Sequence, residues 1–285
     1  MKKRIAIALV AGVLLLIASC SYPPEPVSQI DHYPVKAGNT WSYTKTFSLY
    51  NFRPLISGFP FRDTSYAQQV TVEALGQELL NDGMNAWKFR TTGSGSPVVG
   101  YNFYRQTRDA FLSVAYVNPW LVAPLQSSPI QYHYAGKAFG SIAEMASFIE
   151  GNPQGMPGLS GDSLIYETIP ATAFLFPISV GREWEYRAPL PFLNWRIHKK
   201  VIGTMPLYLP AGAFSSYKIQ WFWDTKNDGT WDPKMSGYDY ITPQGLGKRE
   251  FFLRDVAVFS DVSADTIALV DLKDEYSAIL IHVRE

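Results

Sequence analysis

Ser216-Tyr-Lys-Ile-Gln-Trp-Phe-Trp223 decides the fold. Tyr217, Ile219, Trp221 and Trp223 fall on one side of a period of two, and Ser216, Lys218 and Gln220 on the other, with Phe222 the exception. Successive side chains of a β-strand point to opposite faces, so this pattern describes a strand with one buried and one wet side. The same period runs through Trp195, Ile197 and Val201 against Arg196, His198 and Lys200, with Lys199 out of place. It recurs in Trp41, Tyr43, Phe47 and Leu49 against Ser42, Thr44, Thr46 and Ser48, with Lys45 out of place. Alternation of this kind belongs to antiparallel sheets wetted on one face. The expected class is mainly β, an antiparallel meander forming a curved sheet or open barrel.

Turn chemistry punctuates these strands. Asn81-Asp82-Gly83 separates Tyr66–Leu80 from Met84–Thr91, and Asn227-Asp228-Gly229 follows the 213–223 strand. Asp-Gly supplies the positive φ angles of a tight hairpin. Lys273-Asp274 lies between Thr266–Leu272 and Tyr276–Val283 and reads as a closing hairpin. One short helix is expected over 141–150. Ser141 and Glu144 have the spacing of a capping box, Ile142, Met145 and Ile149 share a face, and Gly151 ends it. Asn152–Gly161 is rich in Pro and Gly and reads as a loop.

An internal echo links the two halves. His32-Tyr-Pro-Val-Lys-Ala-Gly38-Asn-Thr-Trp41-Ser-Tyr43 aligns with Leu175-Phe-Pro-Ile-Ser-Val-Gly181-Arg-Glu-Trp184-Glu-Tyr186 at a constant offset. Pro fixes an extended approach, Gly allows a turn, and the strand then begins with Trp and Tyr on one face. The expected organisation is a single β-rich domain over 33–285. The alternative is a two-unit pseudo-repeat over 33–160 and 175–285.

The first twenty residues carry the most specific signal. Lys2, Lys3 and Arg4 precede an apolar run from Ile5 to Leu16, and Ile17-Ala18-Ser19 leads into Cys20, the single cysteine of the 285-residue chain. Residues 1–19 have the build of a secretory signal. The junction resembles the bacterial lipoprotein lipobox, which implies diacylation of Cys20, cleavage before it and acylation of the new amine. Lipidation accounts for an odd thiol in an exported protein. The alternative is a plain signal or anchor helix with an incidental Cys. Ser21–Asp31, with Pro23, Pro24 and Pro26, reads as an extended tether, so residues 20–32 link lipid to domain. Ser at position 21, by resemblance to the sorting rule of enteric bacteria, leans toward the outer membrane. The expected location is the bacterial cell envelope, periplasmic or surface-facing.

Three stretches resemble a family of uncharacterised bacterial lipoproteins. They are Tyr33-Pro-Val-Lys-Ala-Gly-Asn-Thr-Trp-Ser-Tyr43, Leu209-Pro-Ala-Gly-Ala-Phe214 with Tyr217-Lys218-Ile219, and Pro243-Gln-Gly-Leu-Gly-Lys248. Members of that family carry Pro-Leu-x-x-Gly-Asn-x-Trp-x-Tyr, Val-Pro-Ala-Gly-Thr-Phe and Gly-Val-Gly-Leu-Val-Lys in the same order. This chain departs at Leu209, at Ala213 and over Gln244-Gly-Leu-Gly. The family has no established activity, so the resemblance implies fold and location and no chemistry. A weaker similarity is to the curved-sheet carriers of the lipoprotein-sorting pathway.

Composition narrows the function classes. Lys+Arg and Asp+Glu are both 25, which excludes a basic nucleic-acid binder. Losing residues 1–19 removes three positive charges and leaves a small excess of acids. Of catalytic patterns, Gly161-Asp-Ser163-Leu spells a hydrolase signature, but no Asp-x-x-His follows to supply the base. Glu183 and Glu185 share a strand face and read as exposed acids. Asp224, Asp228 and Asp232 recur around Asp228-Gly229 as a weak metal candidate, spoiled by Lys226 at the third position of a calcium loop. The four histidines have no metal-pair spacing. No cofactor is expected.

The aromatic surplus remains: 17 Tyr, 17 Phe and 8 Trp. Trp195, Tyr217, Trp221 and Trp223 are therefore the candidate ligand-binding residues, either stacking on an apolar or sugar ligand or filling the core. The expected function is a membrane-anchored, non-catalytic binding or scaffold module, held to the membrane through lipid on Cys20, its protein partner or apolar ligand unidentified. The alternatives are a carrier of lipid or another apolar ligand in a curved sheet, and a serine hydrolase using Ser163.

Overall fold

The structure, a computed structural model, describes residues 27–56, 62–96, 99–117, 130–150, 164–189, 194–260 and 263–284. Cys20, Ser163 and the Pro/Gly-rich stretch 152–161 lie outside these residues. Strands β1 (Thr40–Pro54), β2 (Thr64–Leu79), β3 (Asn85–Gly93), β4 (Val99–Gln106) and β5 (Ala110–Val117) come first. An excursion follows through β6 (Ile130–Tyr134), β7 (Lys137–Phe139) and helix α1 (Ile142–Ile149). The chain continues as β8 (Ile165–Leu175), β9 (Glu183–Arg187), β10 (Arg196–Leu209), β11 (Gly212–Asp224), β12 (Met235–Thr242), β13 (Gly245–Ser260) and β14 (Ser263–His282).

Alternation turns this chain into a barrel. From Thr40 to Tyr50 of β1 and from Tyr217 to Trp223 of β11 every second residue is buried, as the period of two requires. Each strand can satisfy its backbone only by pairing with neighbours. The ladder runs β8-β5-β4-β3-β2-β1-β14-β13-β12-β11-β10-β9, with β6 on the far part of β13. Every pairing is antiparallel. That order is the order of the chain, cut where β8 meets β9. These two strands lie side by side without a backbone ladder among the described residues. The sheet is thus an antiparallel barrel with one seam, closed elsewhere by β1 on β14.

Side chains fasten the seam. The Arg187 guanidinium donates two bonds to Glu167, at 2.7 and 2.6 Å, with both side chains 2% exposed. The Trp184 indole donates to the Thr172 carbonyl (2.9 Å), and the Lys199 ammonium to that of Ala173 (3.1 Å).

Two apolar clusters fill the interior. One packs Met145 and Ile149 of α1 against Trp195, Trp221, Trp223, Phe251 and Leu253. The other gathers Trp41, Phe89, Phe111, Phe174, Trp184 and Ile219. Helix α1 is capped as its sequence proposes: the Ser141 hydroxyl accepts from Glu144 N–H (3.1 Å). The Glu144 carboxylate reaches past the cap to Gly140 N–H (2.8 Å). At the other end the Trp223 indole donates to the Ile149 carbonyl, which helix geometry leaves without an internal partner.

The echo is geometric. Gly38 and Gly181 both have φ of 86°. Gly38 N–H donates to Ala74 O on β2, while Ala74 N–H donates to Asn39 O. At the offset positions Gly181 N–H donates to Val201 O on β10, and Val201 N–H to Arg182 O. Trp41 and Trp184, three residues on, are 1% and 7% exposed. The stretches that carry the family resemblance also converge. The Trp41 indole donates to Gln244 O and the Tyr43 hydroxyl to Leu246 O, while Tyr33 OH accepts from Leu246 N–H. A Cβ on Gly247 would meet Leu207 and Leu209.

One expected turn is absent. Lys273-Asp274 makes no hairpin, because β14 runs unbroken from Ser263 to His282. Asp274 is an inward position of that strand, opposite Phe47 of β1, and its carboxylate is buried. Asn81-Asp82-Gly83 does turn between β2 and β3, with Gly83 at φ 82°. Asn227-Asp228-Gly229 sits in a longer connection between β11 and β12.

Candidate functional site

The two lysines that break the alternation point inward with the apolar residues. Lys199 of β10 is 1% exposed and Lys45 of β1 is 3% exposed. A buried ammonium must be paired or lose its proton, and the barrel supplies partners from five other strands and from Glu150.

Lys199 donates to the Asp239 carboxylate of β12 (3.2 Å) and sits over the rings of Trp221, Tyr186 and Phe174, at 3.8, 4.5 and 5.1 Å from their centroids. This is a cation held in an aromatic cage. Asp239 also takes Arg249 of β13, whose Nε and Nη2 donate to its two oxygens at 2.6 and 3.2 Å. Burial pulls the Lys199 ammonium down to about 7; the Asp239 carboxylate opposes this and the Arg249 charge adds to it. Burial alone would raise Asp239, but Arg249 and Lys199 outweigh it and hold the carboxyl below its ordinary value.

Lys45 forms a second polar group. Its ammonium lies 3.5 Å from Asp274 of β14 and 3.7 Å from Glu150, just past α1, and donates to the Tyr276 hydroxyl. Burial would lower Lys45, and Asp274, Tyr276 and Glu150 together hold it above the ordinary lysine value. Asp274 is pushed up to about 7 by burial, against Lys45 and with help from Glu150.

A cavity of about 190 Å³ lies among these groups. Arg249, Lys199 and Glu150 form its charged wall, and Thr91, Asn102 and Ser113 add neutral polar groups from β3, β4 and β5. Tyr33, Phe89, Tyr104, Phe111 and Phe174 give it an aromatic wall. Tyr104 stacks on Phe111 (centroids 4.6 Å apart, planes at 11°), Phe111 on Tyr33 (4.8 Å, 11°), and Tyr33 on Phe174 (5.7 Å, 4°). The Tyr33 hydroxyl is pushed up to about 12 by burial. The arrangement offers flat apolar surface, two cations around one carboxylate, and several hydroxyl and amide groups.

Comparison with known proteins places the chain in no family: no family model matches it, and no curated protein does. Among solved structures it is similar to a Bacteroides fragilis protein named as exported with a YmcC-like fold. The TM-score is 0.38 at 13% identity, covering 89% of this chain and 99% of that one. A Parabacteroides distasonis protein named as a lipoprotein gives a TM-score of 0.32 at 10% identity, covering 88% and 97%. At these scores the likeness carries no argument.

The aromatic residues expected to bind ligand do not line the cavity. Trp195, Tyr217, Trp221 and Trp223 are 2%, 8%, 1% and 0% exposed. Trp195, Trp221 and Trp223 belong to the cluster that includes Met145 and Ile149 of α1, and Tyr217 lies in the other cluster. Trp221 serves the site indirectly, as a wall of the cage around Lys199. The rings that face the cavity come instead from the segment before β1 and from β1, β3, β4, β5, β8, β9 and β14.

The three aspartates of the weak metal candidate are occupied by their own turn. Both oxygens of Asp224 accept backbone N–H groups, from Asp228 (3.1 Å) and Gly229 (2.8 Å). Asp228 accepts from Thr230 N–H. Asp232 accepts from the Tyr134 and Thr225 hydroxyls and from Lys234 N–H. Among the described residues no group of three or more His, Cys, Asp or Glu is placed to hold a metal ion. Glu183 and Glu185 face outward and pair with Lys200, Arg196 and His198.

Sequence reasoning missed Glu150, Asp239, Arg249 and Asp274. A signal for the site existed in Lys45 and Lys199, the interruptions of an otherwise apolar face. Asp239 and Arg249 fall on the same inward alternation of β12 and β13.

Proposed function

We propose that this chain is a lipid-anchored envelope lipoprotein whose barrel lumen binds a small ligand without turning it over. The observation that carries the lumen site is the 190 Å³ cavity among buried charged groups and stacked rings. A folded interior is normally filled and its charges are paired off, so polar walls around open space favour an occupant. The cavity is smaller than the ~300–1,000 Å³ pockets that take drug-sized ligands, and Arg249, Lys199 and Glu150 edge it. Size and polarity both favour a small polar ligand over a carried acyl chain. The absence from the sequence of an Asp-x-x-His after Ser163 favours binding over hydrolysis.

The anchor reading rests on Ile17-Ala-Ser-Cys20 behind a basic and apolar leader. Two or three acyl chains hold a protein durably where one is marginal. Ser21 leans the destination toward the outer membrane. The outward positions of β1 are polar, as in Ser42, Thr44, Thr46 and Ser48, while Trp41 and Tyr43 face inward. A barrel that spans a membrane has the opposite arrangement, which favours a barrel beside the membrane on its tether.

Two measurements test this. Metabolic labelling with a fatty acid should mark the wild type and leave Cys20→Ser unlabelled; label retained on the variant overturns the anchor. Thermal unfolding of the full chain in detergent micelles should rise with at least one member of a small-ligand panel of sugars, amides, amines and carboxylates. Saturation at a hundredfold the dissociation constant contributes about 2.7 kcal/mol. No shift with any member overturns the lumen site.

A further inference from the structure

We propose that the lumen cavity takes a small aromatic carboxylate, its two oxygens on the outer edge of Arg249 beside Lys199 and its ring against Tyr104, Phe111 and Phe174. This inference rests on the lumen-binding reading and names the ligand class.

The guanidinium geometry points to a carboxylate. Arginine presents five N–H groups in a planar fork. Asp239 occupies the side formed by Nε and Nη2. The other side, Nη1 with the second hydrogen of Nη2, donates to none of the described residues. It belongs to a side chain 20% exposed that lines the cavity. A planar anion with two oxygens matches such an edge with two parallel bonds.

Charge accounting points the same way. Lys199 and Arg249 are two cations around one carboxylate, Asp239. The remaining acid of the wall, Glu150, belongs to the Lys45 group, where one lysine faces two carboxyls. There Lys45 lies 3.5 Å from Asp274 and 3.7 Å from Glu150, and burial pushes the Asp274 carboxyl up to about 7. Beside the cavity Lys199 and Arg249 have the single carboxylate of Asp239 between them. A single negative charge completes the set. A phosphate dianion brings a second, and a long-chain acid does not fit about 190 Å³.

The rest of the cavity suits a ring. Tyr33, Tyr104, Phe111 and Phe174 lie within 15° of parallel in their stacked pairs. A ligand ring can join such a set at the 4.5–7 Å spacing that aromatic pairs prefer. The Tyr104 hydroxyl and the Asn102 amide also line the cavity and make no side-chain hydrogen bond to another described residue.

Isothermal titration of the full chain in detergent micelles at pH 6.5 tests the proposal with four probes: phenylacetate, phenylacetamide, cyclohexylacetate and inorganic phosphate. Phenylacetate should bind at least tenfold more tightly than each of the others. Arg249→Gln should remove the preference over the amide. Because Arg249 holds Asp239 and its loss can prevent folding, Ser113→Leu is the second test: it leaves every charge in place, fills the cavity and should abolish binding. Equal affinity for phenylacetate and phenylacetamide, or tighter binding of phosphate, overturns the carboxylate while the lumen site stands. Phenylacetate binding that survives Ser113→Leu overturns the placement. If no probe or panel ligand binds the wild type, both readings fail.

Discussion

Lys199 and Asp274 are brought to about 7 from opposite sides, and they pull stability in opposite directions. An unfolded lysine titrates at about 10.4, and Lys199 in the barrel at about 7. Between those values the unfolded chain holds the extra proton, so stability rises with pH. The Lys199 contribution is complete above the unfolded value and lost as pH falls through about 7. Asp274 is the reverse: about 3.9 when unfolded and about 7 when folded. Its contribution is complete below the unfolded value and lost as pH rises through about 7. Together they place a minimum of stability near neutrality. Urea midpoints at pH 5, 7 and 9 should fall and then rise. Asp274→Asn should flatten the acid limb, and Lys199→Met the alkaline one. A wild-type midpoint that climbs steadily from pH 5 to pH 9 would sink this account. Of these residues only the lysines were legible in the sequence, as faults in a period of two. Asp274 beside Lys273 has the look of a turn, because a charged residue at an inward strand position cannot be told from one in a loop until its partner strand is known.

At the level of elements, the turns before β1 and β9 are the clearest case of sequence dictating geometry. Gly38 and Gly181 share φ and the same reciprocal bonding to a neighbouring strand. A left-handed conformation costs an L-residue roughly 1–2 kcal/mol, so Gly38→Ala and Gly181→Ala should each lower unfolding free energy by about that amount. At Gly38 the nearest obstacle is the Arg284 guanidinium, which would lie 2.9 Å from an added Cβ and is free to swing away. At Gly181 nothing lies within 4 Å. Backbone strain therefore decides both, and denaturant curves should give similar losses. A loss at one site and none at the other would break the proposed equivalence of the two units. Strand identity, the capped helix and the Asn81-Asp82-Gly83 turn were readable because each depends on neighbours in sequence. The aromatic site was not. Trp195, Trp221 and Trp223 announce a buried face, but which of two interior layers that face meets depends on where α1 inserts.

Across the whole molecule the seam is the weak line. Elsewhere the wall is held by continuous backbone ladders, while β8 and β9 are joined by Glu167–Arg187, Trp184 and Lys199. Removing one partner of a buried ion pair costs about 3–5 kcal/mol, while replacing both by apolar residues of similar volume is often neutral. Glu167→Gln should therefore destabilise the barrel strongly, and Glu167→Leu with Arg187→Met should recover most of the loss. Hydrogen exchange should be faster along the facing edges of β8 and β9 than in β1 and β14. Equal protection across all four strands would count against the seam. Mainly-β architecture was expected from the sequence. Closure was not, because joining β1 to β14 and leaving β8 and β9 unladdered is settled by register and by long-range partners.

The bridge between Ile30 and Ile178 gives the seam a mechanical meaning. Ile178 N–H donates to Ile30 O at 2.9 Å, in the stretch that links β8 to β9. Among the described residues, Ile30 is also where the chain coming from Cys20 makes its first backbone bridge to the barrel. If the barrel hangs from acyl chains at residue 20, tension along the tether reaches this bridge before it reaches the Tyr33 and Gly38 contacts and β1. Load is then delivered beside the boundary between β8 and β9, so the anchored barrel would yield along its seam first when pulled.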